Sequence, residues 1–123
     1  MPIEAYIVQA LEGVPEFGKR IYPLTGPAGT LTPYCIYTLA NFSELEVLHG
    51  WEELTESEYD IDIVDDTYSG IKSLAKKAVP FIRNLEGTNG IQRVSIRGNS
   101  PEIFENEVGL YRKILTISIT YRR

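Results

Sequence analysis

Four carboxylates, Asp60, Asp62, Asp65 and Asp66, crowd seven positions of this sequence, and such a crowd could offer oxygens to a hard cation. The Asp-x-Asp spacing lacks the glycine turn and closing glutamate of a calcium loop. A solvated strand face followed by a helix cap accounts for the four instead. Arg93 and Arg97 fall on the polar face of a later strand, where cross-strand pairing with Asp60 and Asp62 would be a small structural term. His49 is the single imidazole, beside Gly50 and Trp51, and could serve a base or a switch. Cys35 is the single thiol, placed inside an expected strand, so a Cys-His dyad would need an accident of folding. The Gly26-Pro27-Ala28-Gly29-Thr30 run has the texture of a phosphate cradle but lacks the Gly-Lys-Ser/Thr ending and a following helix. Nothing marks out a pair of carboxyls facing each other across a cleft. No metal, no cofactor and no catalysis are expected.

The elements that position these residues belong to one domain, residues 1–123, long enough for a single core without disulfides. A lone cysteine excludes multi-cysteine zinc sites and disulfide frameworks. The opening residues show no basic and apolar leader pattern and no apolar run approaches a membrane span, so neither secretion by that route nor membrane insertion is expected. A formal charge of −5, with the twelve basic residues scattered, argues against holding nucleic acid.

Pro2 opens an expected helix over 2–13, with Ile3, Ile7, Ala10, Leu11 and Val14 on one face. Gly13 and Pro15 stop it, and at most a short strand over 19–22 is expected before Pro33. Tyr34–Leu39 reads as a strand buried on both sides. In 58–63, Tyr59, Ile61 and Ile63 share one face and Asp60 and Asp62 the other. Asp65-Asp66-Thr67 caps a second helix whose stripe is Ile71, Leu74, Ala75, Ala78, Ile82 and Leu85, with Pro80 expected to kink or end it near Val79. Strands over 92–97, with Val94 and Ile96 inward, and 110–121 follow the turn Gly87–Gly90. The order α-β-β-β-α-β-β predicts a small α+β domain: an antiparallel sheet of about four to five strands with two helices packed on it.

Eight tyrosines, four phenylalanines and one tryptophan are a generous aromatic supply, and Tyr22, Phe42, Trp51 and Phe104 fall in stretches expected as loops. Amphipathic rings on polar loops suit protein interfaces. The connections 14–33, 41–57 and 98–109 are long for so small a domain. Interface candidates are therefore Leu24, Thr25, Gly26, Pro27, Ala28, Gly29 and Thr30 in the first loop, Leu48, His49, Gly50 and Trp51 in the second, and Phe104 in the third.

Tyr22-Pro23, the Gly/Pro loop, Pro33-Tyr34-Cys35-Ile36-Tyr37, Leu48-His49-Gly50, Tyr59–Ile63, Thr67-Tyr68, Leu74-Ala75 and Leu85-Glu86-Gly87 together make a familiar pattern. With Phe104-Glu105, Leu110-Tyr111 and the apolar strand ending at Tyr121, the chain resembles the tail-completion proteins of long-tailed phages, also described as head-tail joining or tail terminator proteins. Pro80 departs from that family's uninterrupted helix. The resemblance implies a structural subunit without chemistry, made in the host cytoplasm and carried in the virion. It implies a ring of identical copies, typically a hexamer, at the head-proximal end of the tail. Its partners would be the tail tube and the head-tail connector, with DNA passing through the lumen. Asp60 and Asp62 are the candidates for the lumen or solvent face. A rival reading is a small ligand-binding domain or enzyme subunit using Asp60, Asp62, Arg93 and Arg97 as a polar cluster, and another is an adaptor docking through Trp51.

Overall fold

The computed structural model describes residues 3–24, 31–46, 53–97 and 102–122. Helix α1 (Ile3–Glu12) buries Ile3, Ile7, Ala10 and Leu11, the 3–4 spacing that puts apolar groups on one helical face. A 3₁₀ turn, Pro15–Phe17, then drops the fully buried Phe17 ring into the core, and the adjoining Glu16 pairs with Lys77. Strand β1 (Ile21–Pro23) lies parallel to the start of β2 (Tyr34–Glu46), which forms a long antiparallel pair with β3 (Glu53–Asp65). Helix α2 (Tyr68–Arg83) follows, then β4 (Ile91–Arg97), β5 (Glu102–Glu105) and β6 (Leu110–Arg122). The sheet has six strands in the order β1-β2-β3-β6-β4, and β5 also pairs with β6.

Strict alternation on the two central strands decides which face the helices cover. Tyr59, Ile61 and Ile63 of β3 and Leu115, Ile117 and Ile119 of β6 point to one side, where they form a single core with Leu11, Val14, Phe17, Leu74, Ala78 and Ile82. The Tyr59 hydroxyl, on that side, donates to Glu4 Oε1 at 3.2 Å and so ties α1 to the sheet. Thr67 caps α2 by accepting from the Gly70 amide at 3.0 Å. A Cβ on Gly70 would overlap the Asp65 carboxylate and the Thr67 hydroxyl, so only glycine lets the cap close this tightly.

The α+β class, the two helices on one sheet face and the core stripes are as the sequence predicts. Several particulars differ. β1 joins in parallel, which makes the sheet mixed. The stretch expected as a loop over 41–57 is largely strand, with cross-strand pairs running from Asn41↔Glu58 to Glu46↔Glu53. Likewise the 98–109 connection contains β5, which pairs along the first residues of β6. Within Tyr34–Leu39, expected to be buried on both sides, only Cys35 and Ile36 are buried, and Leu39 is 47% exposed. Pro80 does not end α2. The missing amide costs the helix one bond, but Pro80 faces solvent while Ala78 and Ile82 stay buried, and the Asn84 amide still reaches the Pro80 carbonyl at 3.0 Å.

Candidate functional site

Among the described residues no helix covers the second face of the sheet; Ile36, Val64 and Ile114 lie at one end of it, and the rest is largely polar. Glu56, Glu58, Asp60 and Asp62 run down β3, Thr116, Ser118 and Thr120 run beside them on β6, and Arg93, Ser95 and Arg97 line the β4 edge. The hydroxyl row is wired to the acidic row: Thr116 Oγ1 donates to Asp60 Oδ1 at 2.9 Å, and Ser118 Oγ to Glu56 Oε1 at 3.3 Å. Arg97 reaches diagonally across β6 to Glu58, 3.2 Å away. Arg112 bridges Glu105 at 2.9 Å and Asp62 at 3.8 Å. Burial nonetheless pushes the Asp62 carboxyl above the ordinary carboxylate range; Arg112 pulls it down, while Asp60 and Glu105 add to the rise. Asp62 Oδ1 and Arg112 Nε are both buried without a hydrogen-bond partner among the described residues.

The polar cluster anticipated from sequence is therefore divided. Arg93 and Arg97 do not pair with Asp60 and Asp62 across neighbouring strands, because β6 inserts between β3 and β4. They line instead a recess of about 240 Å³ with Glu56, Ser95, Ser118 and Thr120. That volume lies below the usual range for small-molecule pockets, about 300–1,000 Å³. Asp60 and Asp62 sit half-buried on the uncovered face.

On the helix side, a larger groove of about 620 Å³ runs between α2 and the β5–β6 pair, with Lys72, Lys76 and Lys113 around Ala75, Val79 and Leu115. Lys72 lies 4.6 Å over the Tyr68 ring and 3.9 Å from Glu102. Tyr68 meets Tyr111 at 5.9 Å between centroids, and Tyr111 meets Phe104 at 4.6 Å. Phe104 belongs to β5 and not to a loop, and its ring remains 47% exposed. Tyr22 and Phe42 are also strand residues, in β1 and β2. Two of the lysines of this groove are visible in the sequence as a pair, since Lys72 and Lys76 stand four apart on one helical face.

Leu24 is exposed at the end of β1, in a left-handed backbone conformation with φ of 63°, and its amide bonds the Tyr37 carbonyl at 3.0 Å. The other first-loop candidates, Thr25 to Thr30, and the second-loop candidates Leu48, His49, Gly50 and Trp51 lie outside the described residues. Cys35 is buried at the centre of the fold, and burial pushes its thiol well above the ordinary value, with Asp62 adding to the rise, so the thiolate a nucleophile needs is disfavoured.

No family profile matches the sequence, and no curated protein matches it either. Among solved structures, a chain from the "Virion of native gene transfer agent (GTA) particle" superposes with a TM-score of 0.68 over 98% of this chain and 95% of that one, at 12% identity. The two chains share one fold. Coverage so nearly complete on both sides means that the likeness extends over almost the whole of both chains and not over a common fragment.

Proposed function

We propose that this protein is a structural subunit of a phage-type virion, and more narrowly a tail-completion protein that forms a ring where tail meets head. The observation that carries the reading is the end-to-end fold likeness to a chain of a virion particle. The sequence resemblance to tail-completion proteins supports the narrower step. In the ring, the uncovered carboxylate and hydroxyl face of the sheet lines the lumen, and the formal charge of the whole six-copy ring, six times −5, would repel the DNA backbone and let it slide. Tail tube and connector subunits meet the ring through its loops and exposed rings, and its work is contact without chemistry.

Light scattering after size exclusion, over a concentration series at two salt concentrations, tests the ring. The expected result is a climb from the 13.9 kDa monomer towards six times that mass, with closed rings in negative-stain images. A monomer at every concentration that also binds neither tube nor connector protein would sink the reading.

A further inference from the structure

β4 is the last strand in the sheet order, so one of its edges meets no strand among the described residues. The Val94 amide is turned away from β6 and donates to Glu86 Oε1 at 3.0 Å. Antiparallel pairing turns alternate residues outward, so the Ile96 amide points the same way, and it has no acceptor among the described residues. The turn after α2 fills the start of the edge, where the Gly87 amide donates to the Ile91 carbonyl at 2.9 Å, and the accessible stretch begins at Val94. The Glu86 oxygen thus stands where the carbonyl of a further strand would stand. The two faces beside this edge differ in character. Arg93 is exposed on the uncovered face, next to Ser95, while Ile96 lies on the helix side, only partly buried against the core. Arg97 is already held by Glu58, whereas Arg93 has no ion pair among the described residues.

We propose that the β4 edge from Val94 onward takes up a short extended segment of another protein, one in which carboxylate-bearing and apolar residues alternate. Main-chain bonds to Ile96 begin the pairing, and the Val94 amide joins it once Glu86 swings aside. The period of two places a carboxylate on the uncovered face, opposite Arg93, and apolar side chains on the helix side, where they extend the cover over Ile96. A protein segment is favoured over nucleic acid as the occupant. Glu56 lines the same recess as Arg93 and the chain is acidic overall, so a phosphate backbone meets more repulsion than attraction. The stretch of this chain that carries the alternating pattern, 56–62, is paired on both edges by β2 and β6, so a second copy does not have it to give. In the free protein Glu86 guards the edge, since a charge placed over an unpaired strand keeps it from pairing indiscriminately.

The probe is a blocked, fluorophore-labelled peptide of about seven alternating glutamate and valine residues, the length of an ordinary strand. Fluorescence anisotropy with the full chain reads binding, and amide hydrogen exchange followed by NMR reads its place. The expected result is binding that slows exchange at the Ile96 amide. Arg93→Glu is expected to weaken binding roughly fivefold. Glu86→Ala, which removes the competitor for the Val94 amide, tightens it, while Glu86→Gln, whose side-chain oxygen still accepts, changes it less. Both positions are exposed, and circular dichroism melts check that each variant folds; should Glu86→Ala fail to fold, Arg93→Glu and the exchange at Ile96 carry the test. A peptide with lysine in place of glutamate that binds as tightly overturns the charge selection. No binding at about millimolar peptide, or binding that leaves Ile96 exchange untouched, overturns the edge as the site. Protection of the Ile96 amide that grows with protein concentration alone would seat a second copy on the edge and overturn the choice of partner. None of these readouts requires a ring.

Discussion

Asp62 shows how one residue can serve structure and surface at once. It sits half-buried on the open face, held by Arg112, with one carboxylate oxygen lacking a partner among the described residues. Burial raises its pKa above the unfolded value, so the folded state holds the proton more tightly than the unfolded chain does. The stabilisation linked to that proton is complete below the unfolded pKa and disappears as pH rises through the raised folded value. Asp62→Asn removes the titration. The melting temperature of the parent relative to the variant is therefore expected to rise as pH falls from neutral into the carboxylate range, and thermal melts between pH 7 and pH 4 measure it. A difference moving the other way would mean that the Arg112 pairing outweighs burial. Cys35, whose thiol burial pushes well above its ordinary value, is part of the hydrophobic core.

Helix α2 is the element on which the most depends, since its buried stripe covers β3, β6 and β4 while its outer face carries the groove lysines. Pro80 weakens it without breaking it. An interior proline costs a helix about 3 kcal/mol relative to alanine, part of which is returned because proline also restricts the unfolded chain. Pro80→Ala is accordingly expected to raise the unfolding free energy by about 1–2 kcal/mol. Urea denaturation reads that change, and a loss of stability would show that Pro80 shapes something the continuous helix conceals. A kink or an end near Val79 is what proline dictates as a local breaker. What overrode it is the packing of Ala78 and Ile82, on either side of Pro80, into the core.

At the scale of the whole molecule, the sheet separates two jobs. One face is closed by helices and provides stability; the other carries carboxylates, hydroxyls and guanidinium groups over most of its length, with no helix over it among the described residues. If that open face lines the lumen of a ring, assembled protein should not retain double-stranded DNA. Gel mobility of a DNA fragment is expected to be unchanged by assembled protein at about 0.15 M salt, where surface charges act over roughly 8 Å. A shift that vanishes at higher salt would mean that the arginine edge, Arg93 and Arg97, and not the acidic row, faces the DNA.

The sequence by itself determined whatever depends on neighbours a few positions apart. The 3–4 spacing of Ile3, Ile7, Ala10 and Leu11, the alternation of Tyr59, Ile61 and Ile63 against Asp60 and Asp62, and the Thr67 cap were all legible, because helix and strand periods are properties of the local backbone. Only the tertiary structure decided which strands lie side by side. That β6 stands between β3 and β4 gives Arg97 to Glu58 and Asp62 to Arg112, pairings separated by dozens of residues that no local spacing encodes. The same holds for β1, whose parallel place beside β2 no local spacing encodes, and for the groove, whose lysines come from α2 and β6. Such contacts are settled by how the layers pack against one another, and packing is a property of the whole chain.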